Sequence, residues 1–183
     1  LPPSSKSVRQ SSMWIDTHCH LDAAEFSADR DVVAAAAVEA GVKKIVVPAV
    51  AVPNFAAVRD CCQRYPGCVA AYGIHPMYTP QASDDDLLTL REWLVRERPV
   101  AVGEIGLDHF VPGLDPVCQQ HFFVEQLKLA REFDLPVLLH VRRAVDPVLK
   151  ALRQVGVRGG IAHAFNGSRQ QAEMFISLGF KLG

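Results

Sequence analysis

The stretch WIDTHCH, residues 14–20, closes a short apolar run with two histidines two positions apart. Side chains alternate between the two faces of a β-strand, so this stretch, as a strand end, points His18 and His20 to one side and Cys19 to the other. Two imidazoles that converge in this way offer a pair of nitrogen ligands to a metal ion, and Asp16 in the same phase could support them. An exposed His-x-His pair also occurs without any metal. The rest of the chain therefore decides between a metal site and two surface histidines.

Short apolar runs, turns and longer stretches with helical periodicity repeat six times along the chain. The apolar runs predict strands at 13–18, 44–49, 69–74, 100–104, 136–140 and 159–163. The periodic stretches predict helices near 29–40, 53–65, 84–97, 116–133, 144–155 and 168–178. Six such units indicate an α/β protein with a parallel sheet covered by helices. No Gly-x-Gly-x-x-Gly and no Gly-x-x-x-x-Gly-Lys follows a strand, which favours a TIM-type (β/α)8 barrel over the alternative, a doubly wound sheet.

Composition limits the classes of partner. The chain has 183 residues, is 49% hydrophobic and carries a formal net charge of -1, so a phosphate-bearing substrate would be held locally and not by broad electrostatic attraction. The richest apolar stretch, 32–52, is interrupted by Glu39, Lys43 and Lys44, and we expect no association with a membrane. Five cysteines without Cys-x-x-Cys spacing fit reduced thiols, which predicts a cytoplasmic location. No obligate protein partner is evident.

The two ends of the chain differ in character from its middle. Residues 1–12 are polar, contain proline and lack an apolar segment, so we expect a disordered tail or an expression remnant, with Met13 a plausible natural start. Residues 13–183 then form a single barrel domain, made of the first six βα units and the start of strand seven. A closed eight-stranded barrel takes about 250 residues, so we expect a C-terminally truncated barrel.

Polar residues follow the predicted strands where a barrel places its chemistry, at their C-terminal ends. Glu104 follows a buried run, and bridging two cations would satisfy both of its oxygens. The alternative is a buried ion pair with Arg142 or Arg143. His140 and His163 also close apolar runs and would supply imidazole nitrogen to a second cation. Together with the two histidines of the first strand, these residues predict one shared metal site.

Other residues near the strand ends suit substrate contact. His75 follows the third strand, and the Arg142 guanidinium matches a phosphate or a carboxylate. A phosphodiester substrate predicts basic and aromatic residues around the site, among them Arg143, Phe165 and Arg169. A small-molecule substrate predicts a closed apolar pocket instead.

Five stretches stand in order along the chain: IDTHCHLD (15–22), GIHP (73–76), VGEIGLD (102–108), LPVLLHVR (135–142) and HAFNGS (163–168). Together they resemble the TatD family of metal-dependent hydrolases, a deoxyribonuclease group on an amidohydrolase-type barrel, and most closely its YjjV-type members. The resemblance implies a dinuclear metal site with a bridging glutamate. The positions that match the family's ligands are His18, His20, Glu104, His140 and His163. The cofactors would be two divalent ions, zinc, manganese or magnesium, and the substrate DNA or another phosphodiester.

Two departures from the family pattern are visible. The family's last ligand, an aspartate at the end of the eighth strand, has no counterpart up to Gly183, so the catalytic proton acceptor is unknown and is expected beyond that residue. Val141 stands where the family usually has a small polar residue. Two other functions stay open. One is an amidohydrolase-type enzyme that opens a small lactone, amide or ester, since the same metals activate water against a carbonyl; the other is a non-catalytic remnant or binding module.

Overall fold

The computed structural model describes residues 13–183, and the tail expected at 1–12 lies outside them. The strands are β1 (Trp14–Asp16), β2 (Val42–Pro48), β3 (Cys68–Tyr72), β4 (Ala101–Asp108), β5 (Val137–Arg142), β6 (Gly160–His163) and β7 (Phe180–Leu182). The helices are α1 (Arg30–Glu39), α2 (Phe55–Arg64), α3 (Asp84–Glu97), α4 (Pro116–Glu132), α5 (Val145–Val155) and α6 (Arg169–Ser177). Each strand but the last precedes a helix, as the alternating pattern predicts.

The seven strands form one parallel sheet in the order β1 to β7, so every strand lies beside its neighbours in sequence. A doubly wound sheet reverses its strand order at a switch point. The order of the seven described strands does not reverse, and the sheet curls into part of a barrel. The prediction of a TIM-type architecture is therefore confirmed, and the doubly wound alternative is wrong.

All six predicted strands are shifted at one or both ends, and the shifts in β4 and β1 bear on the site. β4 continues four residues past the predicted end at 104, and all eight of its residues are buried. It does so because Gly106, at φ 146°, lies against β5, where a Cβ atom would collide with the His140 carbonyl oxygen. β1 is shorter than predicted and ends at Asp16. The chain nevertheless continues alongside β2, since the Cys19 N–H donates to the Val46 carbonyl at 3.0 Å.

Two buried glutamines of α4 fasten that helix to the ends of β3 and β4. The Gln126 side chain accepts from the Ile74 N–H at 2.6 Å and donates to the Ile74 carbonyl at 3.0 Å. The Gln119 side chain bonds both backbone groups of Asp108 in the same way, at 2.8 and 2.9 Å. Each amide thus satisfies backbone groups at a strand end without a water molecule. None of the helices in 13–183 is long and apolar enough to cross a membrane.

Candidate metal centre

The C-terminal ends of β1, β3, β4, β5 and β6 converge on one cleft of about 780 Å³. Its lining is rich in histidine and contains one buried carboxylate, two arginines and one phenyl ring. The lining residues are His18, His20, His75, Glu104, Phe110, His140, Val141, Arg142, Arg143, His163, Ala164 and Asn166. The five predicted metal ligands and the two residues predicted for substrate contact at the strand ends, His75 and Arg142, therefore line the same cleft.

His18, His20 and Glu104 form a tight triangle of donor atoms. The two Nε2 atoms lie 3.2 Å apart, and they lie 3.2 and 3.5 Å from Oε2 of Glu104. Atoms bound to a tetrahedral zinc ion at about 2.0–2.1 Å would be about 3.3 Å apart. The three atoms are therefore already spaced as ligands of one small divalent cation, and nitrogen with carboxylate oxygen is a donor set that suits one.

The chain around β1 holds these rings by means that strand alternation alone does not give. Because β1 ends at Asp16, the two histidines stand on the following loop. His20 Nδ1 donates to the Pro48 carbonyl at 3.1 Å, so Nε2 is the ring nitrogen that faces Glu104. Asp16 does not support either ring, since its carboxylate accepts from the His18 backbone N–H at 3.0 Å. Cys19 packs against the hydrophobic core, and burial raises the pKa of its thiol.

Glu104 is 3% exposed and has no arginine partner in the described part of the chain, so the predicted alternative of an ion pair with Arg142 or Arg143 is not what the structure shows. Burial alone would raise the pKa of this carboxyl group. Hydrogen bonds from the surrounding histidines outweigh that penalty and hold the pKa well below its usual range. Glu104 is therefore an anion, which suits a metal ligand.

His140 stands between two carboxylates. Its Nδ1 lies 3.2 Å from Oε1 of Glu104, and its Nε2 lies 3.0 Å from Oδ2 of Asp108. Burial opposes a charge on the ring, but these two bonds together raise the pKa of His140. A histidine that binds metal commonly donates its other N–H to a carboxylate. With Nε2 bonded to Asp108, Nδ1 is the ring nitrogen that faces Glu104, the carboxylate of the first triangle.

Asp108 contacts His140 in the site but was not predicted from the sequence, although the stretch 102–108 contains it. Its side chain is buried, and Oδ1 accepts from the N–H groups of Phe110 and Val111 at 2.8 and 3.0 Å. These backbone bonds and His140 overcome the cost of burial and lower the pKa of Asp108. The signal that could have found it is an aspartate two residues beyond a glycine at the end of an apolar strand.

His75 faces the cleft with the ring nitrogen that carries its proton. The ring is buried, and its Nε2 lies 3.7 Å from Oε1 of Glu104, close enough to form a second group of possible ligands with Glu104 and His140. Its Nδ1, however, accepts from the Met77 N–H at 3.1 Å, so the neutral ring carries its proton on Nε2. Burial lowers the pKa of His75 to about 4, which keeps the ring neutral at pH 7. His75 therefore presents an N–H donor to the cleft.

Of the remaining predicted residues, three line the cleft and two do not. His163 stacks on His18, with ring centroids 3.9 Å apart, and lies outside the two groups whose donor atoms meet. Arg142 and Arg143 line the cleft. Phe165 and Arg169 were predicted near the site but serve other contacts, since Phe165 packs edge-on against Phe175 and Arg169 pairs with Glu173 at 2.8 Å.

Comparison with known proteins identifies the relatives of this chain. The family model described as TatD related DNase matches residues 15–183. The chain is 46% identical over 175 residues to the protein named uncharacterized metal-dependent hydrolase YjjV of Escherichia coli K12, covering 93% of this chain and 67% of the relative. It is 33% identical over 175 residues to the 3'-5' ssDNA/RNA exonuclease TatD of Cronobacter sakazakii, covering 92% and 65%. The crystal structure of Escherichia coli YjjV superposes with a TM-score of 0.88 at 45% identity, over 92% of this chain and 66% of that one. The chain thus spans about two thirds of the length of these relatives.

Proposed function

This chain belongs to the TatD family of metal-dependent hydrolases, and from that premise we propose that it hydrolyses phosphodiester bonds of DNA at a centre of two divalent cations. The observation that carries the proposal is the triangle of His18, His20 and Glu104, whose donor atoms are 3.2–3.5 Å apart. In support, a relative is named as an exonuclease of single-stranded DNA and RNA. The cleft also contains two exposed arginines, which suit a phosphate better than they suit a small apolar ester.

Two cations at this centre would share Glu104. His18, His20 and Glu104 would hold the first ion, and Glu104 with His140 would hold the second. His163 would complete the second set, as its place in the cleft allows and the family resemblance implies. Nitrogen mixed with carboxylate oxygen suits zinc or manganese better than an all-oxygen magnesium cage. When bound, the pair of ions supplies an activated water and neutralises charge on the phosphoryl oxygens.

The chain's own residues orient the substrate. His75 donates from Nε2–H to a non-bridging oxygen of the phosphate, and it remains a neutral donor because burial keeps its pKa near 4. Arg142 stands at the outer edge of the cleft, where its guanidinium fork suits a phosphate group of the substrate. Asp108 holds the His140 ring so that Nδ1 faces the glutamate. Binding and orientation of one phosphate thus use residues from β3, β4 and β5 together.

The first test is hydrolysis by the purified protein after chelation and re-addition of zinc, manganese or magnesium. We expect metal-dependent release of nucleotides from labelled single-stranded DNA. Absence of cleavage with every ion contradicts the proposed activity. Cleavage of a lactone, amide or carboxylic ester without cleavage of DNA would instead support the amidohydrolase alternative.

The second test counts the ions. We expect two equivalents of metal per chain by mass spectrometry of the loaded protein and one equivalent in His163→Ala. His121→Ala removes an exposed histidine that pairs with Asp84 at 2.7 Å and serves as the matched control, with two equivalents expected. Two equivalents in both variants would remove His163 from the ligand set.

A further inference from the structure

We propose that Arg142 and Arg143, stacked together on the ring of Phe110, bind a second phosphate of the substrate, next to the one that is cleaved. The inference rests on the proposed function and deepens it, because it makes the substrate a strand with successive phosphates and not an isolated phosphodiester. We call these three residues the arginine lip.

The geometry of the lip is that of a prepared anion site. The Cζ atoms of Arg142 and Arg143 lie 3.8 and 4.5 Å from the centroid of Phe110, a ring that is itself 43% exposed. Guanidinium planes stack on aromatic faces, and the ring can hold them without neutralising their charge. Two positive charges thus stack on one phenyl ring. An anion between them relieves their repulsion.

The two arginines of the lip have no carboxylate partner in the described chain, which sets them apart from the arginines that form ion pairs. Six other arginines of the described chain form ion pairs with carboxylates, between 2.5 and 3.5 Å. Over residues 13–183, neither Arg142 nor Arg143 has a carboxylate oxygen within ion-pair distance. Both are exposed at the edge of the cleft. Their hydrogen-bond donors are therefore available to a ligand.

The backbone connects the lip to the metal centre. Asp108, which holds the His140 ring, also accepts from the Phe110 N–H at 2.8 Å. The Arg142 carbonyl accepts from the His109 N–H at 2.9 Å, which joins the two loops that carry the lip. Arg143 stands at φ 52°, and this left-handed turn directs the chain out of β5 and into α5. The backbone of Phe110 and of both arginines is thus held close to the metal centre.

The lip lies beside the metal centre. Arg142 follows His140 by two residues on β5, so the two side chains share a face of the sheet. Two residues of a parallel strand cover about 6.6 Å of backbone. His140, Arg142 and Arg143 line the same cleft, and a strand bound at the centre can continue to the lip.

The test measures binding of a fluorescent single-stranded hexanucleotide to the metal-free protein in chelator, by anisotropy over a series of salt concentrations. Log K falls linearly with log salt, and each phosphate contact makes this negative slope steeper by about 0.7 for single strands. We expect Arg143→Gln to reduce the slope by about 0.7. Arg98→Gln is the matched control, because Arg98 is exposed, has φ 48° and lies before β4 at the other end of the sheet. We expect it to keep the wild-type slope.

A second pair of variants examines the ring. Phe110→Leu should weaken binding about two- to fivefold by removing the support for both guanidinium groups, and Phe110→Tyr should restore it. Equal slopes for wild type, Arg143→Gln and Arg98→Gln would overturn the inference, and so would the absence of strand binding. Because no metal is present, the result does not depend on hydrolysis. A protein that binds the strand through the lip but never cleaves it would contradict the proposed activity alone.

Discussion

The proposed metal centre has two halves that share Glu104, one with His18 and His20 beside β1 and one with His140 on β5, and they are built differently. On the β1 side, His20 is oriented by a neutral backbone carbonyl, and three donor atoms already stand at ligand spacing. On the β5 side, His140 is held between two carboxylates, and the nearest other imidazole, His75, presents its proton and not a lone pair. Glu104 raises the pKa of His20 on the β1 side, and Glu104 and Asp108 together raise that of His140 on the β5 side in spite of its burial, so in the absence of metal both halves attract a proton. Glu104 belongs to both halves and couples them.

The largest effect should come from breaking that coupling. Glu104→Gln removes the charge that both halves use and leaves an amide that donates hydrogen atoms toward imidazole nitrogens. We expect a loss of transition-state stabilisation of several kcal/mol, or about a thousandfold in kcat, with loss of bound metal. The measurements are hydrolysis of single-stranded DNA and metal content. Glu132→Gln, at an exposed pair with Arg91, is the control and should behave as wild type. Full metal content in Glu104→Gln would mean that the glutamate is not a ligand.

The next effect concerns His75 and the stability of the metal-free protein. Its pKa is about 4 in the folded protein and about 6.5 in the unfolded chain, so the unfolded chain binds the extra proton between these values. The contribution of His75 to the free energy of unfolding is therefore lost as the pH falls from 6.5 to 4. A shift of this size corresponds to about 3 kcal/mol. His75→Gln should lack this part of the pH dependence.

The check is urea unfolding in chelator at several pH values between 4 and 7. The difference in unfolding free energy between wild type and His75→Gln should grow as the pH rises and level off above 6.5. His121→Gln, at an exposed histidine, provides the comparison and should run parallel to wild type. A constant difference between wild type and His75→Gln would show that the buried ring is not kept neutral.

A smaller effect should distinguish the β5 half from the β1 half. Asp108→Asn keeps the shape of the side chain but removes the negative charge that receives His140 Nε2–H. Loss of such a partner typically costs about 10- to 100-fold in metal affinity. We expect that loss for one of the two ions only, measured by competition with a chelator. Asp84→Asn, which removes a similar partner from the exposed His121, should change neither affinity. Equal weakening of both ions would contradict the division into halves.

The sequence predicted the elements that surround the centre because five of the six predicted strands are apolar runs that end at a metal-capable or titratable residue. It did not predict how the rings are oriented. The bonds of His20 to Pro48 and of His140 to Asp108 join residues 28 and 32 positions apart, which no local spacing encodes. The role of His75 as a donor depends on a turn that directs the Met77 N–H at the ring. The types of residue at the strand ends could therefore be predicted from the sequence, whereas the tautomers and hydrogen-bond partners of the histidines could not.

The smallest effect should come from Cys19, which stands between two predicted ligands and yet packs against the hydrophobic core. Cys19→Ser exchanges a thiol for a hydroxyl in a half-buried place, and we expect a cost of about 1 kcal/mol in unfolding free energy. Metal content should stay at the wild-type level, because the thiol does not face the triangle of donor atoms. Cys62→Ser, at another half-buried thiol packed against the core, is the control for the general cost of this exchange. If Cys19→Ser lost metal while remaining folded and Cys62→Ser did not, the thiol would be a ligand. The β1 half would then contain a sulfur donor, and the contrast between the two halves would lie in ligand type as well as in orientation.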